Sequence, residues 1–150
     1  MMTFAPSQSL PAALSSGDVD LLAKVLSKHL RLKKKQVVGL RFVSLREMEA
    51  LNQRYRGKRR PTDVLSFESS TKLQVARGET VKELGDIVVC PSYAKKEAAR
   101  RGLSWREELI RLMVHGVLHL VGYDHATQKD EARMFVLQER CVWVMMQKNI

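Results

Sequence analysis

Apolar positions along this chain follow two different spacings, and the switches between them mark its elements. From Asp18, a candidate N-cap, Val19, Leu22, Val25, Leu26 and Leu30 recur at three- and four-residue intervals, which puts them on one face of a helix. Val37 to Val43 is instead a strand-length run rich in β-branched and large apolar residues, and Ser44-Leu45-Arg46-Glu47 after it has the form of a capping box. A strand therefore feeds a second helix, with Leu45, Met48, Leu51 and Tyr55 on its apolar face and an end near Gly57. Val64 to Phe67 and Leu84 to Cys90 read as strands, the latter closed by Pro91; residues 69–83 between them lack periodicity and read as a mobile excursion. Ser92 opens a helix that Gly102 stops, with Lys95, Lys96, Arg100 and Arg101 along its exposed side. Ser104-Trp105-Arg106-Glu107 is another capping box, and the helix it starts carries Leu109, Leu112, Met113 and Val117. Being apolar on most sides, that helix is expected to be central and buried. Thr127 caps a last helix that packs against it through Met134, Leu137, Cys141 and Val144.

Residues 1–16, with Pro6, Pro11 and several serines, read as a loosely ordered arm able to contribute a short strand. Helices and strands that do not strictly alternate predict an α+β fold: a small mixed sheet of about three or four strands, packed with about five helices around the buried one. A chain of 150 residues forms one domain, 1–150, that buries about two-thirds of its unfolded surface.

Charge changes the picture. Twenty-six lysines and arginines against 16 acids give a net charge of +10, which points to a polyanionic partner. No apolar run approaches a membrane span of about eighteen residues, so no membrane association is expected. Two well-separated cysteines, with no lysine or arginine before Lys24, fit a reducing, cytoplasmic setting rather than export or organelle import. Five cations fall within seven residues, Arg54, Arg56, Lys58, Arg59 and Arg60, a density suited to phosphate contact.

The candidate chemistry is concentrated at Val114–His125. His115 and His119 are four apart, so on a helix they can grip one metal ion. Gly122 can close that helix and turn the chain back, bringing His125 toward the pair. Three protein ligands with a position left to water is the pattern of a catalytic zinc site; a closed thiolate site does not fit Cys90 and Cys141, which are far apart. Imidazoles also suit nickel, copper and iron. The metzincin proteases share this histidine spacing but place a glutamate, their general base, where this chain has Gly116. Peptide hydrolysis thereby loses its main support.

With these stretches in view, the chain resembles the YbeY family of bacterial endoribonucleases, also called rRNA maturation factors. The resemblance rests on His115-Gly116-x-Leu118-His119-Leu120-x-Gly122-Tyr123-Asp124-His125, on Asn52-x-x-Tyr55-Arg56 followed by Pro61-Thr62-Asp63-Val64-Leu65-Ser66-Phe67, and on Leu84-Gly85-Asp86-Ile87. It implies that His115, His119 and His125 hold one Zn2+ per chain and that Arg56 is the arginine needed for activity. The implied task is single-strand-specific RNA cleavage in small-subunit ribosomal RNA maturation and ribosome quality control. Ribosomal RNA and the ribosome or small-subunit proteins would be the partners, with Arg54, Lys58, Arg59 and Arg60 tracking the RNA backbone. Asp124, Asp63 and Asp86 are the acids within the matched motifs. Each could serve as general base but is better suited to orienting a ligand histidine or a loop. The nucleophile, water or the ribose 2′-hydroxyl, stays open. The chain departs from the family pattern at Lys58-Arg59-Arg60, where an acid usually follows the lysine. It departs again at Glu68, where proline is common, and at Gln138, where glutamate is common. A metzincin-like zinc protease and a non-catalytic ribosome-binding factor are the competing readings.

Overall fold

A computed structural model describes residues 1–56, 64–69, 72–74, 80–124 and 126–147, with Arg56, residues 72–74 and Thr80 described through their backbone alone. The elements run β1 (Met2–Pro6), α1 (Ser16–His29), β2 (Gln36–Phe42), α2 (Leu45–Arg56), β3 (Val64–Glu68), β4 (Lys72–Gln74), β5 (Thr80–Val89), α3 (Pro91–Arg101), α4 (Trp105–Leu120) and α5 (Gln128–Gln147). The sheet order is β1-β2-β5-β3, with β4 also on β5; β1–β2 and β2–β5 are parallel, and β3 and β4 run antiparallel to β5. This is the α+β mixed sheet with five helices that the patterning predicts.

The N-terminal arm does contribute a short strand, β1, and it is firmly paired. β1 pairs from Met2↔Gln36 to Pro6↔Leu40, Met2 is buried, and its N–H donates to Ser27 Oγ at 2.8 Å. An edge strand is paired on one side only, so Pro6 at its end costs little. The stretch 69–83 also holds more structure than its pattern suggests. β4 pairs with the first residues of β5, Lys72↔Lys82 to Gln74↔Thr80. Backbone pairing at an edge needs no apolar alternation, which is why such polar strands escape a periodicity reading.

Local capping sets the helix starts. Ser15, not Asp18, caps α1: Ser15 Oγ accepts from the Asp18 N–H, and the Asp18 carboxylate accepts from the Ser15 N–H, both at 3.0 Å. Pro91 stands at the start of α3, and Cys90 rather than Ser92 is its N-cap. Ser104 caps α4 by accepting from Glu107 N–H, and Thr127 does the same for α5 from Asp130 N–H.

α4 is the central element. Leu109, Ile110, Met113, Val114, Val117 and Leu118 are fully buried around its circumference, each contributing about 1.5–3 kcal/mol of apolar burial. Gly116 lies against the sheet: Ser66 Oγ donates to its carbonyl at 3.0 Å, and a Cβ there would stand 2.8 Å from Ile87 Cγ2. A small second cluster, Val43, Met48, Leu65, Val88 and Cys90, is separate from the main core and includes α2 through Met48. Tyr55 is largely exposed at the far end of that helix. Among the described residues no helix is long and apolar enough to cross a membrane.

Candidate metal centre

The helix that carries the histidine pair ends where the glycine predicts. Gly122 has φ 106°, Tyr123 N–H donates to Leu118 O at 3.0 Å and Gly122 N–H to His119 O at 3.1 Å. These are the two bonds of a Schellman stop, which glycine accommodates without a Cβ penalty.

One turn apart on α4, His115 and His119 bring their Nε2 atoms within 3.1 Å of each other, with the rings edge to face at 76°. Two nitrogens bound to one tetrahedral zinc at about 2.0–2.1 Å would be separated by about 3.3 Å. The pair therefore fits two ligands of such an ion. Both rings are half-buried, on a helix whose backbone is immobilised by the core around it.

A chain of hydrogen bonds behind His115 settles which of its nitrogens carries the proton. Arg111 grips Glu139 with two bonds of 2.9 Å, Nε to Oε2 and Nη2 to Oε1. Glu139 Oε2 accepts from Gln138 Nε2 at 3.1 Å. A carboxylate can only accept, so the nitrogen of the Gln138 amide must face it and the oxygen must face the other way. That oxygen lies 2.8 Å from His115 Nδ1. Nδ1 is thus the protonated nitrogen, and the Nε2 lone pair is presented toward His119, the arrangement of a metal-ligating imidazole with an outer partner. The Arg111 guanidinium holds the Glu139 carboxyl below its usual range, and Glu139 in turn raises Arg111. The anchor stays charged at neutral pH.

Gln138, Glu139 and Arg111 form the hydrogen-bonded chain behind His115, and the sequence reading assigned none of them to the site, although Gln138 stood out as a departure. A signal was available: Gln138 lies on the same face of the last helix as Met134 and Cys141, a buried polar group among core residues.

The other candidates fall as follows. His125, Lys58, Arg59, Arg60 and Asp63 lie outside the described residues, as does the side chain of Arg56, the last residue of α2. Arg54 is exposed, with its guanidinium 5.6 Å from the Tyr55 ring centroid. Asp124 Oδ1 accepts from Ala126 N–H at 3.0 Å, so this acid shapes the turn that follows α4. Asp86 is not brought to the histidines. Its neighbour Ile87 faces Gly116 of α4, and strand alternation turns Asp86 to the other side of the sheet. There it lies against Gly39, in a groove of about 560 Å³ shared with Arg41, Tyr55 and Phe67. Among the described residues no three metal-ligating side chains converge. Cys90 and Cys141 are both buried, in separate clusters, and burial pushes the Cys141 thiol up to about 11. Gly116 has no room for the glutamate that a metzincin carries there, because Ile87 occupies the space.

Comparison with known proteins bears on the family. The family model described as Endoribonuclease YbeY matches residues 10–145. Endoribonuclease YbeY of Sulfurihydrogenibium sp. is 39% identical over 122 residues, covering 81% of this chain and 76% of that protein. The Beutenbergia cavernae protein of the same name is 34% identical over 137 residues, covering 89% and 91%. The solution structure of TM1509 from Thermotoga maritima aligns with a TM-score of 0.63 at 28% identity, covering 99% of this chain and 91% of that one.

Proposed function

The chain belongs to the YbeY family of endoribonucleases, and on that footing we propose that it cuts single-stranded RNA at a zinc centre held by His115, His119 and His125. The observation that carries the reading is the pair of Nε2 atoms 3.1 Å apart, one of them with its lone pair fixed by Gln138. The whole chain acts as one nuclease domain. Its substrate is ribosomal RNA of the small subunit, met in the cytoplasm with the ribosome or small-subunit proteins as partners.

When bound, zinc supplies Lewis acidity toward a phosphoryl oxygen or a water molecule. His115 and His119 would hold it with His125, and the Arg111–Glu139–Gln138 chain keeps the His115 proton on Nδ1 so that its Nε2 can serve as a ligand. Arg56 brings a planar fork that can meet two phosphate oxygens and offset the charge that builds on phosphorus in the transition state. Arg54, Lys58, Arg59 and Arg60 hold the RNA backbone through its phosphates. Asp124 shapes the turn before His125, and Asp63 is the remaining acid of the matched motif suited to orienting a ligand or a loop.

The test incubates purified protein with single-stranded RNA, duplex RNA and casein in parallel, with and without a chelator, beside His119→Ala. Internal cuts in the single strand alone, lost with chelator and in the variant, together with about one zinc per chain, are expected. Cleavage that survives both treatments would remove the metal centre from the reaction.

A further inference from the structure

We propose that the outward face of α5 is a second contact surface for single-stranded RNA, on the side of that helix away from the metal centre; this rests on the nuclease reading above. At about 100° per residue, Lys129, Arg133, Val136, Arg140 and Trp143 fall within an arc of about 80°. That arc is opposite the face that buries Met134, Gln138, Cys141, Val142 and Met145. All five outward residues are exposed, and the two apolar ones conspicuously so: Val136 is 56% and Trp143 63% accessible.

Charge selects the occupant. Lys129, Arg133 and Arg140 line a groove of about 490 Å³ with Tyr123, Val136 and Leu137, and no acidic side chain lines it. None of the three cations pairs with a carboxylate among the described residues, whereas Arg101, Arg106 and Arg111 are all paired. Glu139 is held by Arg111, and Asp130 and Glu131, in the first turn, stand about 100° and 200° around the helix from Lys129. A protein or membrane partner would be expected to meet a broader apolar patch. A line of cations with no carboxylate partner among the described residues, with the Tyr123 ring at one end and the Trp143 ring beyond the other, instead suits a single nucleic-acid strand, phosphates on the cations and bases on the rings.

The groove begins at Tyr123, in the turn that closes the histidine-bearing helix, and its α5 lining, Lys129 to Arg140, covers about 16 Å of the helix axis at about 1.5 Å per residue.

Binding of a labelled single-stranded RNA oligonucleotide with 2′-O-methyl, phosphorothioate linkages, which resists cutting, tests this on the metal-loaded protein by fluorescence anisotropy. Each single-strand phosphate contact contributes a log–log salt slope of about −0.7, or about fivefold in affinity at about 0.1 M salt. The variant Arg133→Ala/Arg140→Ala should bind about 25-fold more weakly, with a slope shallower by about 1.4. Arg133→Lys/Arg140→Lys should keep most of the affinity, and emission from exposed Trp143 should change when RNA binds. Unchanged affinity and slope in the alanine variant would overturn the proposal and leave the face to a protein partner. An equal loss in the lysine variant would overturn it too, since packing rather than charge would then be at stake. Failure of the nuclease reading shows separately, as wild-type protein that does not cut RNA.

Discussion

Gln138→Leu tests the hydrogen-bonded chain behind the metal centre. Leucine keeps nearly the volume of glutamine, so the tightly packed surroundings, where Gln138 is only 9% exposed, should lose little packing. What disappears is the 2.8 Å acceptor of His115 Nδ1 and the 3.1 Å donor to Glu139. The stranded Nδ1–H costs about 1–3 kcal/mol if it stays buried, and the ring can escape that cost by moving its proton to Nε2. A proton there points at His119 and must leave before a metal can bind. Loss of such an outer partner lowers metal affinity about 10- to 100-fold, or about 1.4–2.8 kcal/mol. Competition against a chromophoric zinc chelator measures this directly, and urea unfolding of the metal-free variant shows how much of the change is general destabilisation. Gln138→Glu restores the acceptor and should recover zinc affinity. It should also cost stability, because the new carboxylate would stand where the amide nitrogen now meets Glu139. Wild-type zinc affinity in Gln138→Leu would refute the claim that this chain fixes the His115 tautomer.

Three further outcomes are expected. Arg56→Lys keeps a charge but loses the two-pronged fork, so turnover on single-stranded RNA should fall at least about tenfold with bound zinc unchanged; steady-state kinetics beside metal analysis check it. Gly85→Ala forces a side chain onto a residue at φ 143°, with its Cβ driven into the Phe67 carbonyl. A loss of about 3 kcal/mol in chemical denaturation should follow. In acid, the carboxyls of Asp18 and Glu139 both sit below their usual range, chiefly through hydrogen bonds from Arg106 and Arg111. Groups lowered in the folded state stabilise it above their unfolded pKa values, near 3.8 and 4.5, and lose that contribution as pH falls through the folded ones. Urea midpoints followed downward from about pH 5 should decline, and Asp18→Asn should flatten part of the decline.

Much of this protein is written in local patterns. The capping box at Ser44, the Ser104 cap, the three-and-four spacing of α1, the all-round apolar character of α4 and the Gly122 stop need only neighbouring residues to act. Each is therefore readable from the chain alone. The i, i+4 histidine pair belongs to the same class, because helical geometry by itself puts His115 above His119. Edge strands were harder to see. β1 is held by backbone bonds to β2, distant in sequence, and β4 by backbone bonds to the nearby start of β5, and backbone bonds carry no side-chain signature.

Tertiary packing alone decided the rest. Asp86 and Ile87 are neighbours in the sequence, but the pleat of β5 sends one to an open groove and the other against Gly116. The motif that holds both gives no hint of which. Gln138 meets His115 across 23 residues because α5 packs along α4, and Glu139 orients that amide because Arg111 reaches it from one turn earlier on α4. Periodicity can set a face of a helix but not what stands opposite it. The tautomer of a ligand histidine depends on that opposite partner, so it is fixed only once the two helices are packed.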